Sequence, residues 1–275
     1  MNWWQVEERE HSEWDIDIVK WMSPKPFGIS GCFRLKDESE FMVKAVESHL
    51  PYLDEAVLVV QDSKDNTVEL ALELAKKHDK VHVYKYPVEP HFIDHPQFHT
   101  EPINSLYSFV YFSNWALSRC NYSWIAKTEG DVICLPTMEN IVKRIHNAPT
   151  DWRYYGRVIL NVAGANKDLI SFDNPRNGGW DECVVPNDPN MAHFVRRSKW
   201  EVMDAPNIPA ECMGWSAMHM KRCKQEFLPG PWNGERYVPF EPDDVEAALT
   251  VYNNRNGYPG PDNPLGIEEL YEVRL

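Results

Sequence analysis

Three short apolar runs, each separated from the next by a polar turn and a helix-period segment, constrain this chain most. The runs are Phe27–Phe33, Ala56–Val60 and Val81–Tyr84. Each is too short for a buried helix and reads as a buried strand. Between the first two, Met42, Ala45, Val46, His49 and Leu50 recur at helical spacing, and Pro51 marks the end. Between the second and third, Val68, Ala71, Leu72 and Ala75 predict another helix, with Asn66 and Glu69 spaced for a capping box. Strands alternating with helices through short loops predict a parallel sheet with right-handed crossovers.

The pattern continues. Ser105–Cys120 reads as a helix, Tyr122–Lys127 as a fourth strand, and Met138–Asn147 as a further helix. Tyr154–Val162 is a strand candidate, and Gly164–Asn190 is rich in turn formers, so long loops are expected there. Helices are predicted over Glu211–Phe227 and Asp243–Asn253. The organisation expected is an N-terminal arm over 1–24, an α/β half over 25–150, and a second half of the same domain over 151–275. At 275 residues the chain is long enough for a substantial core.

Charge removes some functions. The formal net charge is −14. Residues 1–20 carry a net −4 and residues 241–275 a net −6, which leaves −4 for the middle. A general nucleic-acid binder draws on Lys and Arg, so that class is excluded, whereas a small diphosphate site is not. No run approaches the roughly 20 apolar residues of a membrane span. The first residues are acidic and lack an apolar stretch, so no signal peptide and a cytoplasmic location are expected. The six cysteines are scattered without a Cys-x-x-Cys pair, so reduced thiols are expected.

In an open parallel sheet, ligands bind beyond the C-terminal strand ends. Three polar turns fall at such ends: Arg34–Glu38, Gln61–Asp65 and Glu129–Asp131. The last delivers two carboxylates on either side of Gly130. Such a pair repels unless a cation or proton neutralises it, and oxygen ligands suit Mg²⁺ or Mn²⁺. His91, His95 and His99 are spaced to share a helix face, but Pro90 and Pro96 disfavour that helix. A loop over the site is expected there instead.

These residues resemble family 2-type glycosyltransferases of the GT-A fold. The resemblance rests on Arg34-Leu35-Lys36-Asp37-Glu38, on Asp62-Ser63-Lys64-Asp65-Asn66-Thr67, and on Ser113–Leu117 followed by Trp124–Asp131. It covers residues 27–140. The departures are Glu129, where the family has the first Asp of Asp-x-Asp, and a second-strand turn one residue short, with Gln61 where an acid is common.

The resemblance implies a GT-A-like (Rossmann-like) α/β fold, mostly parallel and flanked by helices, with a loop-rich C-terminal acceptor region. It implies transfer of a sugar from a nucleotide-sugar donor (UDP, GDP or dTDP type) to a glycan or other hydroxyl acceptor, dependent on Mn²⁺ or Mg²⁺. Asp131 and Glu129 would hold the cation, with His219, or His193 in its place, completing the set. Phe33, Arg34, Lys36, Asp62 and Lys127 would meet the nucleotide. Glu211 and Trp215 would lie under the sugar. Asp244, with Asp243 beside it, would be the base of an inverting transfer; helix-initiating acids are the alternative reading of that pair. Two other functions fit the same pattern: a nucleotidyltransferase acting on sugar phosphates, and a non-catalytic nucleotide- or glycan-binding protein.

Overall fold

The computed structural model describes residues 2–164, 169–171, 182–198, 200–224 and 238–239. The side chains of 169–171, 215, 221–222 and 238–239 are not among those described. The predicted helix over Asp243–Asn253, and with it Asp243 and Asp244, falls outside these residues.

The N-terminal half alternates as expected. Strands β1 (Ile29–Leu35), β2 (Glu55–Val60), β3 (Val81–Lys85) and β4 (Trp124–Glu129) lie side by side in the order β3-β2-β1-β4, all parallel. Their neighbours on one face are α2 (Met42–His49), α3 (Thr67–Lys77) and α5 (Met138–Asn147), whose apolar residues form one core with Ile29, Phe33 and Leu35. The opposite face is covered by α4 (Phe109–Leu117), which is buried along its whole length. Alternation along β1 therefore sends Phe33 to one core and Cys32 to the other.

The capping detail differs from the sequence expectation. Asn66 makes no side-chain cap to α3; Asp65 accepts from the Thr67 N–H at 3.0 Å instead. Lys76 and Lys77 close that helix on the favourable side of its dipole. Leu72 is exposed, and Leu74 takes the buried position. Helix α4 starts at Phe109, later than predicted, because the Ser108 hydroxyl accepts from the Tyr111 N–H and sets the first turn there.

The Trp-rich arm is no free tail. It contains the short helix α1 (Ile18–Met22), and Val6, Ile16 and Trp21 are buried against α4. Trp21 donates its indole N–H to Asn187 Oδ1 at 2.9 Å. The Tyr111 hydroxyl donates toward the Trp4 and Trp14 carbonyls, at 3.1 Å each.

The second half extends the sheet with antiparallel and mixed strands. β5 (Val132–Cys134), β6 (Tyr154–Ala163), β7 (Leu169–Ser171), β8 (Glu182–Pro186), β11 (Ala210–Arg222) and β12 (Val238–Pro239) join it, while β9 (His193–Arg197) and β10 (Trp200–Asp204) form a separate hairpin. β8 inserts antiparallel between β4 and β6. The helix predicted over Glu211–Phe227 is a correction: Ala210–Arg222 is a strand, parallel to β6 and antiparallel to β5. Its Ala, Glu, Met and Lys residues favour a helix in isolation, but pairing on two edges overrides that preference. β8 likewise lies within the stretch expected to be loop. Among the described residues, no helix is long and apolar enough to cross a membrane.

Candidate metal and nucleotide site

The strand order places the three polar turns together at one sheet edge. β1 lies between β2 and β4, so the turns after all three share that edge. Arg34 of β1 is in register with Glu129 of β4.

The turn Glu129-Gly130-Asp131 is tight for a packing reason. A Cβ on residue 130 would lie 2.6 Å from Leu35 Cδ2 and 2.8 Å from Glu38 Cγ. Only glycine lets β4 press this close to the end of β1. β5 then begins directly, pairing Val132 with His219 of β11. Met220 donates its N–H to the Asp131 carbonyl at 2.8 Å. This long-range pairing brings His219 to the turn, with Nε2 3.4 Å from Asp131 Oδ1. Glu129, Asp131 and His219 each present a ligand atom within 4.8 Å of the others, the one such group among the described residues.

Buried and surrounding charges set the state of these carboxylates. Burial alone would raise Asp131, but His219 and then Lys224 outweigh it and hold it well below the usual carboxylate range. Lys127 draws Glu129 down to about 2, against the effect of burial. Lys224 Nζ bridges Asp131 Oδ2 at 2.7 Å and Glu38 Oε2 at 2.8 Å. Burial, aided by Asp131, pushes Glu38 up to about 8 despite that ammonium. Two carboxylates that stay ionised, with an imidazole beside them, form an oxygen-rich set with one nitrogen, and this fits Mn²⁺ or Mg²⁺.

A row of buried charges stands behind the turn. Lys127 Nζ lies 3.2 Å from Glu129 Oε1 and 3.7 Å from Glu182 Oε1. Glu182 in turn meets the Arg157 guanidinium at 3.3 Å, and both side chains are almost fully buried. Burial raises Glu182 to about 7 in spite of these two bases. Arg157 also donates to the Ser216 carbonyl at 3.0 Å and toward His49 Nε2 at 3.2 Å. His49 Nδ1 faces the Ala45 carbonyl at 2.8 Å, so its donor proton is assigned there and Nε2 accepts. Burial, and then Arg157, lower His49 to about 3.

The predicted nucleotide-contacting residues divide. Arg34 is held at the edge, donating to Ser113 and paired with Glu201. It lies between the rings of Phe109, at 5.2 Å, and Phe194, at 4.9 Å. Helix α4 fixes this arrangement, since Asn114 clamps the Phe194 backbone through both its N–H and its C=O. Lys36 pairs with Glu89 and sits 5.3 Å over the Phe92 ring. Asp62 is exposed beside Lys85 at 2.8 Å. Lys127 is turned inward to its two carboxylates rather than outward. Phe33 is fully buried, edge-on to His49, and belongs to the core rather than to the edge.

Glu211 does not join the cluster. On a helix its eight-residue separation from His219 would span about 12 Å, but on a strand it spans about 26 Å. Glu211 instead pairs with Arg144 of α5 at 2.9 Å. The backbone of Trp215 is in register with Val158 of β6. His193, the rival metal ligand, stacks on Trp3 at 5.8 Å. His91 and His95 stack at 3.9 Å, and His91 Nδ1 meets Glu101 at 3.0 Å. They line a cavity of about 600 Å³ with Phe92, Asp94 and Tyr107.

Lys224, Glu182 and Arg157 were not expected at the site, and Glu38 was expected only as part of the polar turn after the first strand. For Arg157 and Glu182 a signal existed: each is a charge set in an apolar strand, and such a charge needs a partner. For Lys224 no local signal exists.

No family model matches this chain, and no curated protein does. It is structurally similar to several GT-A glycosyltransferases at low identity. One is S. aureus TarS 1-349, at 12% identity and TM-score 0.44, covering 70% of this chain and 60% of that one. Another is glucosyl-3-phosphoglycerate synthase from Mycobacterium tuberculosis in complex with Mn²⁺, uridine diphosphate and phosphoglyceric acid, at 12% identity and TM-score 0.43, covering 90% and 83%. A third is mannosyltransferase PcManGT from Pyrobaculum calidifontis in complex with GDP-Man and Mn²⁺, at 13% identity and TM-score 0.35, covering 51% and 41%. This chain thus spans 60% of the TarS 1-349 chain and 44% of the longer TarS chain it matches.

Proposed function

We propose that the protein is a metal-dependent glycosyltransferase that moves a sugar from a nucleotide-sugar donor to a hydroxyl acceptor. The observation that carries the reading is the Glu129–Asp131–His219 cluster at the C-terminal edge of a parallel sheet. A divalent cation held there supplies Lewis-acid stabilisation of the negative charge that grows on a departing nucleoside diphosphate. Lys127 keeps Glu129 ionised at the pH of the cell, and Gly130 keeps both acids at the edge. Arg34, Lys36 and Asp62 border the same edge and suit the polar parts of a nucleotide.

Asp244 is assigned the base, with Asp243 as its neighbour. The acceptor oxygen forms a bond to the anomeric carbon, the bond from that carbon to the diphosphate breaks, and the acceptor proton passes to Asp244. Attack opposite the leaving group inverts the anomeric centre. The donor is of UDP, GDP or dTDP type, and the acceptor is a glycan or another hydroxyl compound.

A panel of nucleotide sugars with and without Mn²⁺ tests this. Metal-dependent release of the nucleoside diphosphate from one donor is the expected result. Stabilisation by nucleotides with no turnover on any donor would instead mark a binding protein. Asp244→Ala should keep donor binding and abolish transfer; transfer at the wild-type rate would remove Asp244 from its role.

A further inference from the structure

Lys224 ties three segments at one point. Its side chain is buried at 7% exposure, and its ammonium bridges Asp131 and Glu38. Glu38 belongs to the turn after β1 and is itself fixed, its N–H donating to Thr67 Oγ1 at 2.7 Å. Asp131 offers its other oxygen toward His219. One carboxylate is therefore shared between an internal cation and the candidate metal set. A divalent ion arriving at Asp131 meets a carboxylate that an ammonium already neutralises in part.

Charge adds a second consequence. Lys224 adds one positive charge beside Asp131 and Glu38. A divalent cation held at the same edge adds to it, and the sum favours a diphosphate. Without Lys224 the loaded cluster would carry one positive charge fewer.

We infer that Lys224 is a built-in counter-cation with two opposed effects: it weakens divalent-metal binding at Asp131, and it strengthens binding of a nucleoside diphosphate once the metal is bound. The inference rests on reading this edge as a metal-dependent nucleotide site. A lysine that merely tethered the three segments would act differently, since its loss would loosen the site and weaken both ligands together.

Lys224→Met keeps much of the stem and removes the charge. Mn²⁺ affinity is read by electron paramagnetic resonance of the free ion, and UDP affinity at saturating Mn²⁺ by calorimetry. The expected result is Mn²⁺ binding about tenfold tighter and UDP binding about tenfold weaker, with Lys224→Arg staying near the wild type in both. Both affinities falling together, or neither changing, would overturn the inference. If Lys224→Met does not fold, the wild type still decides. The Lys224 ammonium resonance, slow to exchange while two carboxylates hold it, should exchange faster when Mg²⁺ is added, and unchanged exchange would contradict the competition. Wild-type protein that binds Mn²⁺ and UDP while Lys224→Met shows no opposed shifts defeats this inference alone. Wild-type protein that binds no UDP with Mn²⁺ defeats the functional reading beneath it.

Discussion

The acidic turns after β2 and β4 flank the same strand and look alike in sequence, yet they spend their carboxylates differently. After β2, Asp65 accepts from the N–H groups of Thr67 and Ser39 at 3.0 Å each. Asp37, facing it from the turn after β1, accepts from the Lys64 N–H at 2.6 Å. These acids are consumed by backbone donors, and they lock two turns together. After β4, Glu129 and Asp131 meet side chains that carry or can carry positive charge: Lys127, Lys224 and His219. The first turn uses Asp65 to hold the chain and leaves Asp62 exposed beside Lys85. The second concentrates charge whose balance a cation can complete. Acid count alone does not separate them; the partners do.

Four substitutions break or sharpen this contrast. The largest effect is expected from Asp131→Asn, which should weaken Mn²⁺ binding about 100- to 1000-fold, or about 3–4 kcal/mol. Equilibrium Mn²⁺ titration reads this, and an unchanged affinity would move the metal elsewhere.

The buried row behind the β4 turn titrates. His49 is depressed to about 3 in the fold from an ordinary value of 6.5. At this position the unfolded chain therefore binds a proton that the fold refuses, and the contribution of His49 to stability falls as pH drops below 6.5. Between pH 6.5 and 4.5 the loss due to His49 alone should be about 2–3 kcal/mol, opposed by Glu182 and Glu38, which burial raises and which favour the fold as pH falls. His49→Gln should remove this contribution, so that stability relative to the wild type rises as pH falls from 6.5 to 4.5 in urea unfolding, and a pH slope equal to the wild type's would refute the assignment.

Gly130→Ala comes next. The added methyl meets Leu35 and Glu38 at distances no Cβ tolerates. Overpacking of this kind costs about 1–3 kcal/mol, and it should also loosen Mn²⁺ binding because both acids move. Stability lost with Mn²⁺ affinity intact would show that the turn shape does not set the ligand geometry. The smallest effect is expected from Asp65→Ala, at about 1 kcal/mol of stability through the lost cap, with Mn²⁺ affinity unchanged. A fall in Mn²⁺ affinity for that variant would erase the distinction between the two turns.

Much of the parallel half was legible because its signals are local. Apolar runs, helix spacing and polar turns named β1 to β4, and topology alone then put Glu129 and Asp131 at the edge. His219 was named as a candidate for its chemistry, but its neighbourhood to Asp131 depends on β5 pairing with β11 across more than 80 residues. The misread helix over Glu211–Phe227 has the same origin, since the local preferences of Ala210–Arg222 differ from those of its paired state. Glu211, expected under the sugar, is carried by this strand away from His219 to Arg144 of α5. Phe33 looked like an edge aromatic, but the alternation along β1 turns it into the core. Lys224 and Glu38 meet across 186 positions, and no periodicity marks such a contact.

Calorimetry of UDP and GDP with the wild-type protein, with and without Mn²⁺ and repeated with Asp131→Asn, tests the central claim most directly. One nucleotide should bind the wild type only when Mn²⁺ is present and should not bind Asp131→Asn under either condition. Nucleotide binding that is equal with and without Mn²⁺, or that survives in Asp131→Asn, would contradict a metal-dependent nucleotide site at this edge.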